Sequence, residues 1–359
     1  MKNNPFPFVI AAITLTISLS SCTPKKDVNT FEAMNTLMTI QCYTSNPVKI
    51  NKQIQERILY LEDLISTTKQ TSDIYKINNR QGQTSVNSEQ KTPPAQVEQQ
   101  QGQTFLVHPE TFQLIEFACC MAEKTNGALN PALYPVTSAW GFTTGNYHVP
   151  SDSEIRQLLT YTDFTRIVLN SENNSVFTEE NMMLDLGAVG KGFAGDQAIE
   201  LMKSKGVKSA LLDLGGNIQT LGSKPDGSFW TIGIKSPWGG NPVAGLRISN
   251  QAVITSGGYE RYFTGDDNRN YIHIFDGNTG RPVENDIASI TIVCNSGLYG
   301  DSLSTALFVM GARKAIEYWR KNPDFEFILI KNDGTLIYTK GLAQSINLMA
   351  DFSYIQVIE

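Results

Sequence analysis

Three groups of residues in this chain have side chains suited to chemistry. The first is the run Asp185-Leu186-Gly187-Ala188-Val189-Gly190-Lys191-Gly192-Phe193-Ala194-Gly195-Asp196. A strand-like apolar lead, Met182-Met183-Leu184, precedes it. An amphipathic helix follows, with Ala198, Ile199, Leu201 and Met202 near helical spacing and Gly206 as its stop. A strand, a glycine-rich turn and a helix N-terminus leave backbone N–H groups unpaired at the positive end of a helix dipole, a setting for phosphate oxygens. The second group is Asp301 with Thr305, at i and i+4 on a helix expected over residues 300–310. A carboxylate and a hydroxyl, helped by a backbone carbonyl, suit a hard cation such as Mg²⁺; the competing role for Asp301 is a helix cap. The third is His273, with Asp276, Thr279 and Arg281 close behind it, on an expected strand that runs from Tyr271 into a tight turn. A strand histidine serves either structure or proton transfer.

Two generic motifs fit the first group only in part. Gly190-Lys191-Gly192-Phe193-Ala194-Gly195 reads GxGxxG, and Asp213 closes a later apolar run, Ala210-Leu211-Leu212, at about the spacing of a dinucleotide fingerprint. But Asp185 interrupts the apolar lead, and the residues after Asp213 are Gly-, Pro- and Trp-rich and strand-like. A P-loop fits worse, because Gly192 follows Lys191 where Ser or Thr is needed, and Asp185 stands where the first glycine belongs. A pyrophosphate site of another kind ranks above both; glycines that serve packing alone are the alternative.

The elements that must position these groups can be read in outline. Residues 31–44 alternate as a strand around Met34-Asn35-Thr36, and residues 50–65 form a helix with Ile54, Ile58, Leu61 and Ile65 on one face. Residues 66–79 are polar and turn-rich. Residues 81–103 are a Gln/Ser/Pro/Thr tract, expected as a disordered insertion. A helix over 112–124 ends at Asn126-Gly127, and the Pro- and aromatic-rich segment 127–142 could wall a flat ligand or pack as core through Tyr134 and Trp140. A helix starts at about Ser153, capped by Ser151 or Asp152. Leu184-Asp185-Leu186-Gly187 recurs as Leu212-Asp213-Leu214-Gly215, a short hint of internal duplication. Strands follow at 230–235, 246–249 and 252–255. Thr255-Ser256-Gly257-Gly258-Tyr259-Glu260-Arg261 adds hydroxyls and a flexible backbone, and the stretch from 318 to the end reads as strand–turn–strand about Asn332-Asp333-Gly334.

The chain start is not part of the fold. Lys2 and the apolar and small residues 6–20 form a signal segment too short to span a bilayer comfortably, ending in Leu19-Ser20-Ser21-Cys22. This resembles a bacterial lipobox, which implies cleavage before Cys22 and lipid on its sulfur; the alternative is an ordinary signal peptide with a chance cysteine. The expected organisation is a signal peptide over 1–21, a tether over 22–30 and one domain over 31–359. The expected location is outside the cytoplasm, anchored to the inner membrane and facing the periplasm. A net charge of -6 argues against nucleic-acid partners. Cys42, Cys119, Cys120 and Cys294 match no zinc spacing, and adjacent Cys119 and Cys120 read as core helix residues.

In order along nearly the whole mature chain stand Met34-Asn35-Thr36, Leu64-Ile65-Ser66 with Ser72-Asp73-Ile74 and Asn78, and Gly127-Ala128-Leu129-Asn130-Pro131 with Trp140-Gly141-Phe142. The Asp185 to Gly192 run, Leu214-Gly215-Gly216-Asn217, Trp230 with Gly233-Ile234 and Pro237, and Thr255-Ser256-Gly257 come next. His273 with Asp276 and Thr279-Gly280-Arg281-Pro282, then Asp301 with Thr305, complete the set. The ordered set closely resembles the ApbE-type FAD:protein FMN transferases. The resemblance implies an α+β single domain built from duplicated strand–helix halves around a flavin cleft. It implies FAD as substrate and one or two Mg²⁺ ions. FMN would move to a Ser or Thr hydroxyl on acceptor flavoprotein subunits of membrane redox pumps, with AMP released.

By the same resemblance, Asp301, Ser304, Thr305 and the Ala188 carbonyl hold the metal. Met34, Thr68, Ala128, Leu129, Asn130, Asp185, Lys191 and Phe275 line the FAD site, and His273 serves the transfer as base. Thr68 departs from the family's common aromatic, which implies looser FAD binding and hydrolysis of FAD to FMN and AMP. Asn130 replaces a common acid and Phe275 a smaller aliphatic. A flavin-binding or flavin-scavenging lipoprotein without catalysis is the competing class; it needs none of Asp301, Thr305 and His273.

Overall fold

The computed structural model describes residues 24–81 and 101–359. The signal segment, Cys22 and nearly all of the 81–103 tract lie outside the described residues.

The chain opens with β1 (Lys25–Ala33) and β2 (Thr36–Thr44), one hairpin paired from Lys25↔Thr44 to Ala33↔Thr36. Its two-residue turn puts Met34 and Asn35 at φ 49° and 58°, the twist that matches a hairpin. Residues 25–30, expected as tether, are therefore strand; Asn51 and Gln55 of α1 (Pro47–Ile65) hold them by hydrogen bonds to Asp27 and Asn29. The polar segment after α1 contains a short helix, α2 (Asp73–Asn78), because Ser72 caps it. Gly102 and Gln103, expected in the insertion, begin β3 (Gly102–Leu106). Next come α3 (Pro109–Lys124), α4 (Tyr134–Ala139) and α5 (Asp152–Leu159), the last capped by Ser151 as expected. β4 (Val168–Asn170) and β5 (Ser175–Glu179) join β3 in a small sheet.

Met182-Met183-Leu184 form no strand. Asn78 instead accepts from Leu184 N–H at 2.7 Å and donates to its carbonyl at 2.8 Å, standing in for a strand neighbour. The glycine-rich run is not a turn either: Gly187 opens α6 (Gly187–Ser204), and Gly190, Gly192 and Gly195 lie inside it. Then follow β6 (Ser209–Asp213), β7 (Asn217–Leu221), β8 (Trp230–Ile234), β9 (Ala244–Ile248), β10 (Ala252–Gly257), β11 (Tyr262–Thr264), β12 (Asn270–Ile272), β13 (Phe275–Asp276), β14 (Arg281–Pro282) and β15 (Ile287–Cys294). The chain ends with α7 (Gly297–Met310), α8 (Ala312–Lys321), β16 (Glu326–Lys331), β17 (Thr335–Thr339), β18 (Ile346–Leu348) and β19 (Tyr354–Ile358). Tyr318 is helical, and the Asn332-Asp333-Gly334 turn joins β16 to β17. The repeated Leu-Asp-Leu-Gly quartets sit in unlike settings, one before α6 and one between β6 and β7.

The main sheet has the order β1-β2-β6-β7-β10-β15-β16-β17-β19, antiparallel except for β17 with β19. This is the expected α+β architecture, and it excludes a doubly wound parallel sheet. Both faces are covered. On β16, Phe327 and Leu329 face the core under the helices, while Ile328 and Ile330 face the layer of β8, β9 and β18. Burial on both sides explains the unbroken apolar run of that strand.

Glycine sets the distance between α6 and α7. A Cβ on Gly192 would lie 2.2 Å from the Gly297 carbonyl oxygen, and one on Gly195 would lie 2.0 Å from Gln219 Nε2. The glycines of the GxGxxG run therefore serve the packing of α6: Gly192 against α7, Gly195 against Gln219 of β7 and Gly190 against Ile65 of α1. Gly192→Ala is expected to cost about 3 kcal/mol through overpacking, read as a lowered denaturation midpoint; a loss below about 0.5 kcal/mol would show that the helices can part. Asp196 ties the same pair, accepting from Gly297 N–H at 2.6 Å, Ser296 Oγ at 2.7 Å and Leu298 N–H at 3.0 Å at the start of α7.

Candidate functional site

Asp301 does not cap α7; Ser296 does. Asp301 lies a turn further in, 5% exposed, and accepts from Gly192 N–H at 2.8 Å. That N–H is the i+4 partner of the Ala188 carbonyl in α6. An N–H shared with a carboxylate leaves Ala188 O with acceptor capacity to spare. Burial pushes the Asp301 carboxyl up, against the opposing pull of Lys191, Gly192 N–H and Asn217. Gln219 Nε2 donates to Asn217 Oδ1 at 3.2 Å, which turns the Asn217 amide nitrogen away from Gln219. Ser304 is fully buried; its hydroxyl donates to the Asp301 carbonyl at 2.9 Å and accepts from Ser256 Oγ at 2.8 Å. Thr305 is half-buried on the same helix face as Asp301.

Asp185 sits at the entry to α6. Its N–H donates to Pro131 O at 2.8 Å and its Oδ1 accepts from Gly187 N–H at 2.8 Å. Burial raises its carboxyl, while Gly187, Lys191 and Arg261 pull it down. The Pro131 bond joins the 128–131 loop to Asp185. Within that loop Leu129 is buried, and Asn130 is spent on the fold, donating to Thr162 O at 2.9 Å and accepting from Ala132 N–H at 2.9 Å.

His273 interrupts the strand expected over residues 271–276. Its N–H and Nδ1 both bond the Arg261 carbonyl, at 3.1 and 3.0 Å, after which Phe275 pairs with Pro282 instead. A carbonyl only accepts, so Nδ1 carries the proton and Nε2 keeps a free lone pair. Burial pushes the imidazole down to about 4, with Lys191 and Arg261 also lowering it and the Arg261 carbonyl opposing. Arg261 is tied in turn by a hydrogen bond to the Phe142 carbonyl.

Met34 and Thr68 form a separate rim. Glu62 accepts from Met34 N–H at 3.0 Å and pairs with Lys69 at 2.9 Å, next to Thr68, which is exposed with its N–H on Ser66 Oγ. The rim reaches the helices through Ile65, whose Cδ1 lies 2.8 Å from where a Gly190 Cβ would be. Phe275 is 4% exposed, packed edge-on to Trp140 and Phe142 at 5.8 and 5.6 Å between ring centres. It therefore sits in core rather than on an open wall. Trp140 is fully buried, with Nε1 donating to Gly280 O at 3.0 Å, so this part of the 127–142 segment is also core. Cys42, Cys119, Cys120 and Cys294 are free thiols; Cys120 is exposed rather than core.

The Lys191 ammonium lowers the Asp185 and Asp301 carboxyls and the His273 imidazole, and Arg261 lowers Asp185 and His273 as well, so these groups share one electropositive surrounding. Arg261, Ser256, Asn217 and Gln219 join them without having been assigned roles from sequence. Their only signal was membership of the quoted runs, or, for Gln219, none.

The ApbE family model matches residues 34–329. A FAD:protein FMN transferase of Klebsiella pneumoniae (strain 342) is 30% identical over 296 residues, covering 82% of this chain and 85% of its own. Another, from Treponema pallidum (strain Nichols), is 32% identical over 260 residues, covering 68% and 72%. The crystal structure of the ApbE protein from Thermotoga maritima matches with a TM-score of 0.79 at 29% identity, over 89% of this chain and 99% of that one. Family model, sequence relatives and fold agree over most of the molecule, and the chain belongs to the ApbE family.

Proposed function

We propose that the chain is a Mg²⁺-dependent FAD:protein FMN transferase that moves FMN from FAD to a Ser or Thr hydroxyl of an acceptor flavoprotein and releases AMP. The names of its relatives support the activity. The observation that carries it is the pair of carboxylates held on α6, Asp185 by Gly187 N–H at its start and Asp301 by Gly192 N–H one turn on, both at 2.8 Å, with Lys191 between these two contacts in the chain. In the reaction the acceptor oxygen bonds to the FMN-side phosphorus while the bond from that phosphorus to the bridging oxygen breaks, and AMP leaves with that oxygen. The hydroxyl proton goes to His273 Nε2, the ring atom left without a proton. Lys191 draws the pyrophosphate toward the start of α6 and offsets its charge.

The oxygen donors fit a hard cation. The residues that the family resemblance assigns to the metal, the Asp301 carboxylate, the Thr305 and Ser304 hydroxyls and the Ala188 carbonyl, offer oxygen alone; among the described residues there is no cluster of three His, Cys, Asp or Glu side chains to compete with them. Mg²⁺ commonly takes one or two carboxylates and completes its shell with water and substrate phosphate. Bound there, it would neutralise charge on the pyrophosphate. The test is mass spectrometry of the protein with FAD, Mg²⁺ and a flavin-accepting domain. A gain of one FMN on the acceptor with AMP released supports the reading, and bound but intact FAD overturns it.

Thr68 offers no aromatic face to a flavin. FAD is expected to be hydrolysed to FMN and AMP without an acceptor, with water in place of the hydroxyl. Thr68→Tyr is expected to slow this about tenfold, the size of one stacking contact; FAD left intact by the unmodified protein would sink the idea. The further reading is that the chain is exported and anchored through lipid on Cys22, facing the periplasm, where acceptor subunits of membrane redox pumps would be its partners.

A further inference from the structure

We propose that a basic cavity at the edge of the sheet where the chain enters β1 from Pro24 is a phosphate site for the headgroup of an anionic phospholipid. The cavity, about 420 Å³, is bordered by Tyr43, Thr44, Lys208, Ser209, Ser223 and Lys224, and no carboxylate lines it. Two ammonium groups supply charge, and hydroxyls supply donors suited to phosphate oxygens.

Ser209 makes this more than a pair of surface lysines. It is 7% exposed, it lines the cavity, and its Oγ is buried without a hydrogen-bond partner. The Oγ lies just behind the cavity surface, so a phosphate oxygen would recover the cost of this unpaired hydroxyl only after a small shift of the side chain. Register brings a third cation close: Lys26, Tyr43 and Ser209 lie side by side across β1, β2 and β6, with Lys26 Nζ 6.0 Å from the Tyr43 ring centre. Asp226, the carboxylate two residues beyond Lys224, has its Oδ1 taken by Ser228 N–H and Oγ at 2.9 and 2.6 Å.

Chain connectivity names the source of the phosphate. Pro24 borders the cavity, and Cys22 is two residues away, a reach of about 7 Å at full extension. The proposal rests on the reading that Cys22 carries the lipid anchor. An anchor there holds the cavity at the headgroup layer, where each lysine gains about 1 kcal/mol from an anionic surface, roughly a fivefold factor. Headgroup capture would fix which way the tethered enzyme faces.

The full chain would be reconstituted into nanodiscs of phosphatidylcholine alone or of equal parts phosphatidylcholine and phosphatidylglycerol. Hydrogen exchange would be followed in peptides covering residues 205–209 and 222–228. The expected result is about tenfold slower exchange there in the phosphatidylglycerol discs only. Lys208→Glu with Lys224→Glu should abolish it, while Lys314→Glu with Lys321→Glu on α8 should leave it intact and FMN transfer should be unchanged in both. Ser209→Ala, which keeps both charges, should weaken the protection. Equal weakening by the two charge-reversed pairs would mean diffuse surface attraction and overturn the cavity. Millimolar inorganic phosphate protecting these peptides in phosphatidylcholine discs, with no added effect of phosphatidylglycerol, would assign the site to soluble phosphate and overturn the lipid. A chain that fails to travel with either disc would overturn the anchor reading, and the headgroup proposal with it.

Discussion

Asp301→Asn is expected to lower FMN transfer about a thousandfold, the scale of removing one preorganised charge from a polar transition state. Asparagine keeps an oxygen for Gly192 N–H, so the α6–α7 contact survives. What disappears is a negative charge in a site that is 5% exposed, together with the metal affinity that charge supports. Losing a buried charge relieves desolvation, so the variant's thermal midpoint in metal-free buffer should match or exceed that of the unmodified protein. Loss of activity with retained stability separates a functional carboxylate from a structural one. Transfer within tenfold of the unmodified enzyme would remove Asp301 from the chemistry.

His273→Gln is expected to slow transfer by about 10² to 10⁴, the usual share of a positioned base. The unmodified enzyme should show a matching pH signature. With the imidazole held at about 4, Nε2 stays unprotonated and competent well below neutrality, so the acid limb of kcat/KM should fall near pH 4. An unperturbed histidine would place it near 6.5. Folding stability follows the same group. Between pH 6.5 and 4 the unfolded chain binds the extra proton and the folded one does not. The contribution of this residue is therefore complete above 6.5 and declines as pH falls toward 4. Rate profiles of the enzyme and of His273→Gln would decide the matter; an acid limb at pH 6 to 7 that vanishes in the variant would show a base but contradict its depressed pKa.

Periodicity carried most of the architecture. The faces of α1 and α3 and the short strands of the second half follow from alternation and helical spacing, since burial on one or both sides leaves that imprint. The failures have local causes. The 66–79 segment hides α2 because its signal is one capping serine and six residues. Residues 25–30 looked like a tether because their strand is held by polar contacts to Asn51 and Gln55 rather than by an apolar stripe. The glycine-rich run was misleading, because glycines that let two helix backbones touch are spelled the same way as glycines that cradle phosphate. Among the residues singled out from sequence, only His273 belongs to a rare type, one of three histidines; Lys191 and Asp301 are singled out by the runs they stand in. Arg261 could not be read, because its backbone carbonyl orients His273 and any residue supplies a carbonyl. Asn130 and Phe275, read from sequence as flavin contacts, also have packing roles that sequence does not show: Asn130 bonds Thr162 O and Ala132 N–H, and Phe275 packs against Trp140.

The close approach of α6 and α7 has a mechanical consequence. Where helices meet through side chains, rotamer changes let them slide; where Gly192 meets the Gly297 backbone, there is no such slack. Asp301, Thr305, Ala188 and Lys191 ride on these two helices and behave as one stiff spine. Any opening that admits FAD, or a hydroxyl from another protein, must come from the parts hung on that spine: the 128–131 loop, joined to it through Asp185, and the Arg261–His273 pair. Amide exchange should accordingly be slowest in α6 and α7 and faster in those two segments. The enzyme would work as a rigid jaw with two soft lips.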